Sequence, residues 1–193
     1  GEVMQAAGFP KGVVNVVTHA AEDAAAITEA LIAHPAVRRV NFTGSSRVGR
    51  IVGALAGQHL KPALLELGGK APLVVLDDAE LEAAVDAAVF GAFMNQGQIC
   101  MSTERVVVDS QIADTFVERF AARSSALKVG APSDPTPIGP VVDASTVERL
   151  TRLIDDAVRQ GAKVVSGGSG EGVYFKPTIV DHVTRDMQLY HEE

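Results

Sequence analysis

Cys100 is the only cysteine among the 193 residues, and it closes the polar run Asn95-Gln96-Gly97-Gln98-Ile99-Cys100. A thiol attacks carbonyl carbon well only as thiolate. Backbone N–H groups of a glycine-containing loop can hold the oxyanion that develops on the attacked group. Glu66 lies 34 positions upstream, in Leu65-Glu66-Leu67-Gly68-Gly69-Lys70. It ends an apolar strand just before a double glycine, and open α/β sheets place their sites at the carboxyl ends of parallel strands. Burial there would raise the pKa of the carboxyl group and suit it to act as a base. The pair therefore suggests covalent catalysis by a nucleophile and a general base. Plainer readings exist for both. Free cysteines are among the most buried residues, and a glutamate at a strand end is commonly solvated. The Asn-Gln-Gly-Gln run is poor core material, which favours the chemical reading of Cys100.

A further stretch, Phe42-Thr43-Gly44-Ser45-Ser46-Arg47-Val48-Gly49, joins a strand to a helix. Helix N-terminal amides and hydroxyls can bind a pyrophosphate there. It lacks the lysine of a Walker A loop and is not G-x-G-x-x-G, and a simple N-capped turn explains it equally well. The histidines His19, His34, His59, His182 and His191 show no metal-ligand spacing, so no metal site is expected. None is close in sequence to Cys100 or Glu66, which leaves a Cys-His dyad without local support. Phe93, Met94, Ile99 and Met101 flank the thiol and either line a substrate tunnel or pack as ordinary core.

The elements that must position these groups follow from pattern. Val13 to Thr18 is β-branched and predicts a strand. Glu22 to His34 is alanine-rich and predicts a helix stopped by Pro35. Val37 to Thr43 and Ala63 to Leu67 predict strands on either side of a helix over Val48 to His59. That alternation predicts a parallel sheet covered by helices. Gly68-Gly69 breaks the rhythm and marks a domain boundary, giving domains 1–68 and 69–193. Beyond it come a strand at Leu73 to Leu76 and a helix at Glu80 to Met94. The small residues Ala83, Ala84, Ala87, Ala88 and Gly91 give that helix a close-packing face. A strand at Arg105 to Asp109 and a helix at Ile112 to Leu127 follow. Pro132 to Pro140 reads as a surface loop, Thr146 to Gln160 as a helix capped by Gly161, and Val164-Val165 and Tyr174 to Val180 as strands around a glycine-rich turn.

Bulk properties narrow the classes. The hydrophobic fraction of 47% is ample for a core. A net charge of −7 and the lack of a Lys/Arg run argue against a nucleic-acid surface. One cysteine cannot form an internal disulfide, which fits a reducing, cytoplasmic setting. Apolar stretches are short and interrupted by charge, and no signal-peptide pattern opens the chain, so no membrane association is expected. Both ends read as cuts, and an internal piece of a longer protein is expected.

Taken in order, these stretches resemble the aldehyde dehydrogenase superfamily. The likeness runs from Ala7-Gly8-Phe9-Pro10 and Gly12-Val13-Val14-Asn15 through residues 42–49, Leu65 to Lys70 and Asn95 to Cys100. It continues through Val129-Gly130, Ile138-Gly139-Pro140, Gly161-Ala162, Gly167-Gly168, Pro177-Thr178 and Glu192-Glu193. Lys61 to Glu66 and Ile99 to Arg105 are most similar to the benzaldehyde, vanillin and salicylaldehyde type. The resemblance implies a three-layer α/β/α fold with a parallel sheet, incomplete at both ends. Residues 1–68 would be the second half of the NAD(P)-binding domain and 69–193 the first part of the catalytic domain. It implies NAD or NADP as cofactor, a small aromatic aldehyde as substrate, and a homo-oligomer at full length.

Residue by residue, the resemblance implies that Cys100 forms a thiohemiacetal, that hydride passes to the nicotinamide, and that Glu66 activates the water that hydrolyses the resulting thioester. The Cys100 N–H would serve the oxyanion hole. Gly44 and Ser45 would lie beside the pyrophosphate, Leu67 beside the nicotinamide amide, and Glu193 on the nicotinamide ribose. Position 47, often acidic in the family, is Arg47 here. The family's oxyanion asparagine, its adenosine-side lysine and the residues that choose NAD or NADP would lie upstream of Gly1. Two rivals stay open: a thioesterase or esterase that uses the same thiol without a cofactor, and a catalytically inert fragment.

Overall fold

A computed structural model describes residues 1–192. The chain divides into two compact units, Gly1–Leu67 and Gly68–Glu193.

In the first unit, α1 (Glu2–Ala6) precedes a 3-10 turn, Ala21–Asp23, that leads into α2 (Ala24–Ala33). β1 (Val40–Gly44), α3 (Ser46–Gln58) and β2 (Ala63–Leu67) follow. α2 ends as the sequence predicts: His34 is extended at φ −62°, ψ 131°, because the ring of Pro35 disfavours a helical residue before it. Lys61 closes that helix end, its Nζ donating to the carbonyl oxygens of Ile32 and, at 2.6 Å, His34. β1 and β2 pair in parallel, with α3 packed on both through the buried Gly49, Val52 and Ala56. That is the strand–helix–strand unit the alternation predicts.

The strand predicted at Val13 to Thr18 does not form, and Val13, Val14, Val16 and Val17 are exposed. A strand needs a ladder to satisfy its N–H and C=O groups. Among the described residues β1 and β2 form a two-stranded sheet with no third member, so β-branched composition alone does not order this segment.

The second unit opens with β3 (Ala71–Val75), α4 (Leu81–Phe93), β4 (Thr103–Val108) and α5 (Ala113–Ser125). β3 and β4 pair in parallel with a register shift: Ala71 faces Thr103 and Pro72 faces Arg105, leaving Glu104 as the extra residue. Val75, Val85, Ala88, Phe116 and Phe120 form the core beneath α4 and α5. Of the predicted small-residue face of α4, Ala84, Ala88 and Gly91 turn inward, whereas Ala83 and Ala87 are exposed.

The remainder is α6 (Ala144–Arg159), β5 (Lys163–Ser166), β6 (Gly170–Glu171), β7 (Tyr174–Phe175), β8 (Ile179–Asp181) and α7 (Gln188–His191). α6 is capped by Asp143, which accepts from the Thr146 N–H at 2.8 Å. It is followed by Gly161 at φ +103°, as predicted. The single strand expected from Tyr174 to Val180 is instead split. β7 pairs with β6, and β8 with β5, both antiparallel. Pro177 sits at the break, where its missing N–H cannot serve a ladder. Among the described residues no helix is long and apolar enough to cross a membrane.

Candidate active site

Four of the residues singled out by sequence meet in the first unit. Parallel pairing sets Thr43 beside Glu66 and Gly44 beside Leu67, so both strands finish together. Ser45 then leaves β1 in an extended conformation and caps α3, its Oγ accepting from the Val48 N–H at 3.4 Å. Gly44, Ser45, Glu66 and Leu67 therefore share one edge, formed by the carboxyl ends of two strands and the N-terminus of a helix. Two glycines make that edge compact. A Cβ on Gly49 would fall 2.5 Å from the Leu67 Cδ2, and one on Gly44 would fall 2.6 Å from the Phe42 ring.

Of the two readings open for Glu66, the solvated one is found, and its side chain is exposed. Strand alternation explains this: Leu65 and Leu67 are half-buried on the face toward α3, and Glu66 points the other way with Leu64.

The start of α3 has the donors an anion needs. The N–H groups of Ser46 and Arg47 precede the first intrahelical bond, which runs from the Gly49 N–H to the Ser45 carbonyl at 2.9 Å. Ser45, Ser46 and Arg47 are exposed, and the first turn contains no acidic residue. With the positive end of the helix dipole, this donor set fits a pyrophosphate.

Cys100 belongs to the second unit and sits on a turn of unusual backbone. After α4, Asn95 (φ 51°, ψ 40°), Gln96 (φ 58°, ψ 24°) and Gly97 (φ +73°) are left-handed in succession. Such residues cost on the order of 1 kcal/mol or more each unless glycine, so surrounding bonds must hold them. The Gln98 N–H donates to the Asn95 carbonyl at 3.0 Å, and the Asn95 amide donates to the Gln98 carbonyl at 3.3 Å. Gln98 Oε1 accepts from the Val142 N–H at 3.1 Å. With its amide turned so that oxygen meets donor, Gln96 accepts from the Gly139 N–H at 2.9 Å. The polar run is thus a set of staples fastening the turn to residues 139–142, a role its composition does not reveal.

Cys100 itself is exposed, unlike a packed core cysteine. Met94 and Met101 are exposed near it in the chain, Ile99 is half-buried, and Phe93 packs against Phe120 with ring centroids 6.1 Å apart. Of these flanking residues, Phe93 is core. Ser102 is buried, and its Oγ has no hydrogen-bond partner among the described residues. A contact that sequence reasoning missed is the ion pair of Lys70 Nζ with Glu104 at 2.7 Å, with side chains only 14% and 28% exposed. No local signal announces it: the pairing of Ala71 with Thr103 and Pro72 with Arg105 brings the two residues together. Glu193 lies outside the described residues. Among the described residues no cluster of His, Cys, Asp and Glu is placed to hold a metal.

Comparison with known proteins adds an independent line. Residues 1–193 match the aldehyde dehydrogenase family. A vanillin dehydrogenase of Pseudomonas fluorescens is 61% identical over all of this chain and 40% of its own length. A salicylaldehyde dehydrogenase of Pseudomonas putida is 50% identical with the same coverage. The solved salicylaldehyde dehydrogenase of Pseudomonas putida G7, complexed with salicylaldehyde, superposes with a TM-score of 0.96 at 52% identity, over all of this chain and 40% of that one. A betaine aldehyde dehydrogenase of Staphylococcus aureus in complex with NAD+ gives a TM-score of 0.90 at 31% identity, over all of this chain and 39% of that one. The chain thus spans about 40% of the length of the curated relatives it matches.

Proposed function

The chain belongs to the aldehyde dehydrogenase family, and from that premise we propose that the full-length protein oxidises an aromatic aldehyde to its carboxylic acid with NAD+ or NADP+. The observation that carries the reading is the exposed thiol of Cys100, held on a stapled left-handed turn. A buried structural cysteine has no use for such a turn. The identity to vanillin and salicylaldehyde dehydrogenases supports the aromatic substrate class.

In this proposal residues 1–68 belong to the cofactor domain and residues 69–193 to the catalytic domain. Cys100, as thiolate, adds to the aldehyde carbon, and its own N–H helps hold the resulting oxyanion. When bound, the nicotinamide supplies the acceptor for the hydride that leaves that carbon. What remains on Cys100 is a thioester. Glu66 then takes a proton from water as hydroxide adds to the thioester carbonyl, and the Cys100 thiolate leaves as the acid departs. The Ser46 and Arg47 amides, the Ser45 hydroxyl and the Gly44 backbone would hold the pyrophosphate. Leu67, packed on Gly49, would shape the wall beside the nicotinamide, and Glu193 would hold its ribose.

In the full-length protein, Cys100→Ser should abolish NAD(P)-linked oxidation of vanillin or salicylaldehyde while leaving NAD(P)H binding near wild type. Glu66→Gln should slow deacylation, seen as a pre-steady-state burst followed by a depressed steady rate. Robust turnover by Cys100→Ser would remove the thiol from the mechanism, and an unaltered steady rate in Glu66→Gln would remove the carboxylate. Hydrolysis of esters with no absorbance gain from aldehydes would favour the cofactor-free rival.

A further inference from the structure

Ile138-Gly139-Pro140 has no part in the chemistry proposed above, yet it lies against the turn that carries Cys100. The segment is fixed from behind. The Gly130 N–H donates to the Ile138 carbonyl at 3.0 Å, and the Val141 N–H donates to the Val173 carbonyl at 2.8 Å. Ile138 is buried, and Val141 is buried with Ile154 and Phe175. Asp143 then caps α6. Residues 138–143 are therefore a braced strip of backbone, and it offers two N–H groups to the Cys100 turn. Gly139 donates to the Gln96 side chain at 2.9 Å, and Val142 donates to Gln98 Oε1 at 3.1 Å. Glycine permits the first approach, because a Cβ at position 139 would fall 3.3 Å from the Gln96 amide.

Gln98 spans the turn. While its Oε1 accepts from Val142, its Nε2 donates to the Asn95 carbonyl at 3.4 Å. Its backbone N–H donates to that same carbonyl at 3.0 Å. These bonds oppose strain of similar size. A left-handed residue other than glycine is disfavoured by roughly five- to thirtyfold, and Asn95 and Gln96 are adjacent examples. An intramolecular hydrogen bond favours the state that makes it by roughly two- to tenfold. The turn therefore depends on the few contacts that hold it. Beyond Cys100 the chain is already fixed: the Ser102 N–H donates to the Ile99 carbonyl at 2.9 Å, and Ser102 is buried. The freedom left to Cys100 is set on the Gln98 side.

We infer that Gln98 is a positioning residue for Cys100: by joining the left-handed turn to the Val142 N–H, it fixes the direction in which the thiolate and the Cys100 N–H meet a carbonyl group. The inference rests on the nucleophile role proposed for Cys100. Gln98 acts through the turn and touches no reacting atom. A misplacement of about 1 Å at a reacting group costs up to about a hundredfold in rate, so partial release of the turn lowers acylation without unfolding the unit.

The test uses the full-length protein and two readouts. One is the acylation phase of cofactor-free p-nitrophenyl acetate hydrolysis, followed by stopped flow on the pH plateau above the titration of the thiol. An added charge then does not enter through the thiol pKa. The other is the Kd of NADH or NADPH, followed by fluorescence. Gln98→Met matches the side chain in length but makes neither bond, and should slow acylation about tenfold. Gln98→Glu keeps an acceptor for the Val142 N–H, and should stay within about threefold of wild type. Gly139→Ala crowds Gln96 and leaves Gln98 intact, and should slow acylation about two- to fivefold. In all three the Kd should stay within about twofold, because the amides proposed to hold the cofactor lie at the start of α3. Unchanged acylation in Gln98→Met or Gly139→Ala, equal losses in Gln98→Met and Gln98→Glu, or a Kd that rises in step with lost acylation would each overturn the inference. If Cys100→Ser abolishes the acylation phase and Gln98→Met leaves it unaltered, this inference alone fails. If Cys100→Ser acylates like wild type, the proposed function fails as well.

Discussion

Replacing Gly97 by alanine would strain the turn that presents Cys100, the proposed nucleophile, and its cost can be worked from the backbone. Gly97 has φ +73°, and an added Cβ would lie 2.9 Å from the carbonyl oxygen of Ala92. Placing an L-residue in the left-handed region costs about 1–2 kcal/mol, offset by roughly 0.4–1 kcal/mol through the stiffer unfolded chain. The contact adds more, because its partner is backbone at the end of α4 and cannot rotate away; overpacking of this kind costs about 1–3 kcal/mol. The expected net destabilisation is about 1–5 kcal/mol, centred near 3 kcal/mol. Gly172 supplies the control: it has φ +60° and nothing within 4 Å of an added Cβ, so its alanine variant should lose only about 0–1.5 kcal/mol. Thermal unfolding of the full-length protein should separate the two, at roughly 2–4 °C per kcal/mol for a domain of this size. Alkylation of Cys100 by iodoacetamide, read by peptide mass spectrometry, should change rate in Gly97→Ala and not in Gly172→Ala. If Gly97→Ala is no more destabilising than Gly172→Ala and Cys100 alkylates at the wild-type rate, the turn does not position the thiol as argued.

Two other perturbations address the scaffold. Breaking the half-buried Lys70–Glu104 pair with Lys70→Met should cost about 1–3 kcal/mol, between an exposed pair and a buried one. The charge reversal Lys70→Glu with Glu104→Lys should recover part of the loss, and a reversal no better than the worse single variant in thermal unfolding would argue against direct coupling. Hydrogen bonds from Ser145 Oγ, the Thr146 N–H and the Thr146 hydroxyl hold the Asp143 carboxyl below the usual aspartate range. A lowered native pKa contributes stability above the unfolded value and loses it as pH falls through the native one. The stability gap between wild type and Asp143→Asn should therefore be full at neutral pH and close on acidification below about pH 4. A gap that does not change with pH would show that the carboxylate's charge is irrelevant to the cap.

Much of the fold was legible because local rules and tertiary contacts agree. Pro35 stops α2, Asp143 and Gly161 bracket α6, and the apolar run Ala63 to Leu67 is β2 as expected. Disagreement arose where a segment's state depends on a neighbour distant in the chain. Val13 to Thr18 has strand composition and no ladder partner among the described residues. Tyr174 to Val180 has strand composition but is divided at Pro177 between two partners. For Glu66 the sequence left a buried base and a solvated strand-end carboxylate both open, and pleating turns it to the exposed face.

The sequence by itself determined the chemistry on offer and the family. One thiol, one carboxylate and a glycine-serine strand-to-helix turn occur in an order that resembles aldehyde dehydrogenases, and residues 1–193 match that family. Residue type and spacing carry this information because reactivity and backbone freedom are local properties. Tertiary structure decided how the groups are held. Parallel register brought Gly44 beside Leu67 and Thr43 beside Glu66. Amide staples to residues 139–142 stabilised a left-handed turn under Cys100, and Arg105 reached Tyr190 across 85 positions. These contacts join residues far apart in the chain, so no local pattern announces them; they exist only once the strands pair and the helices pack.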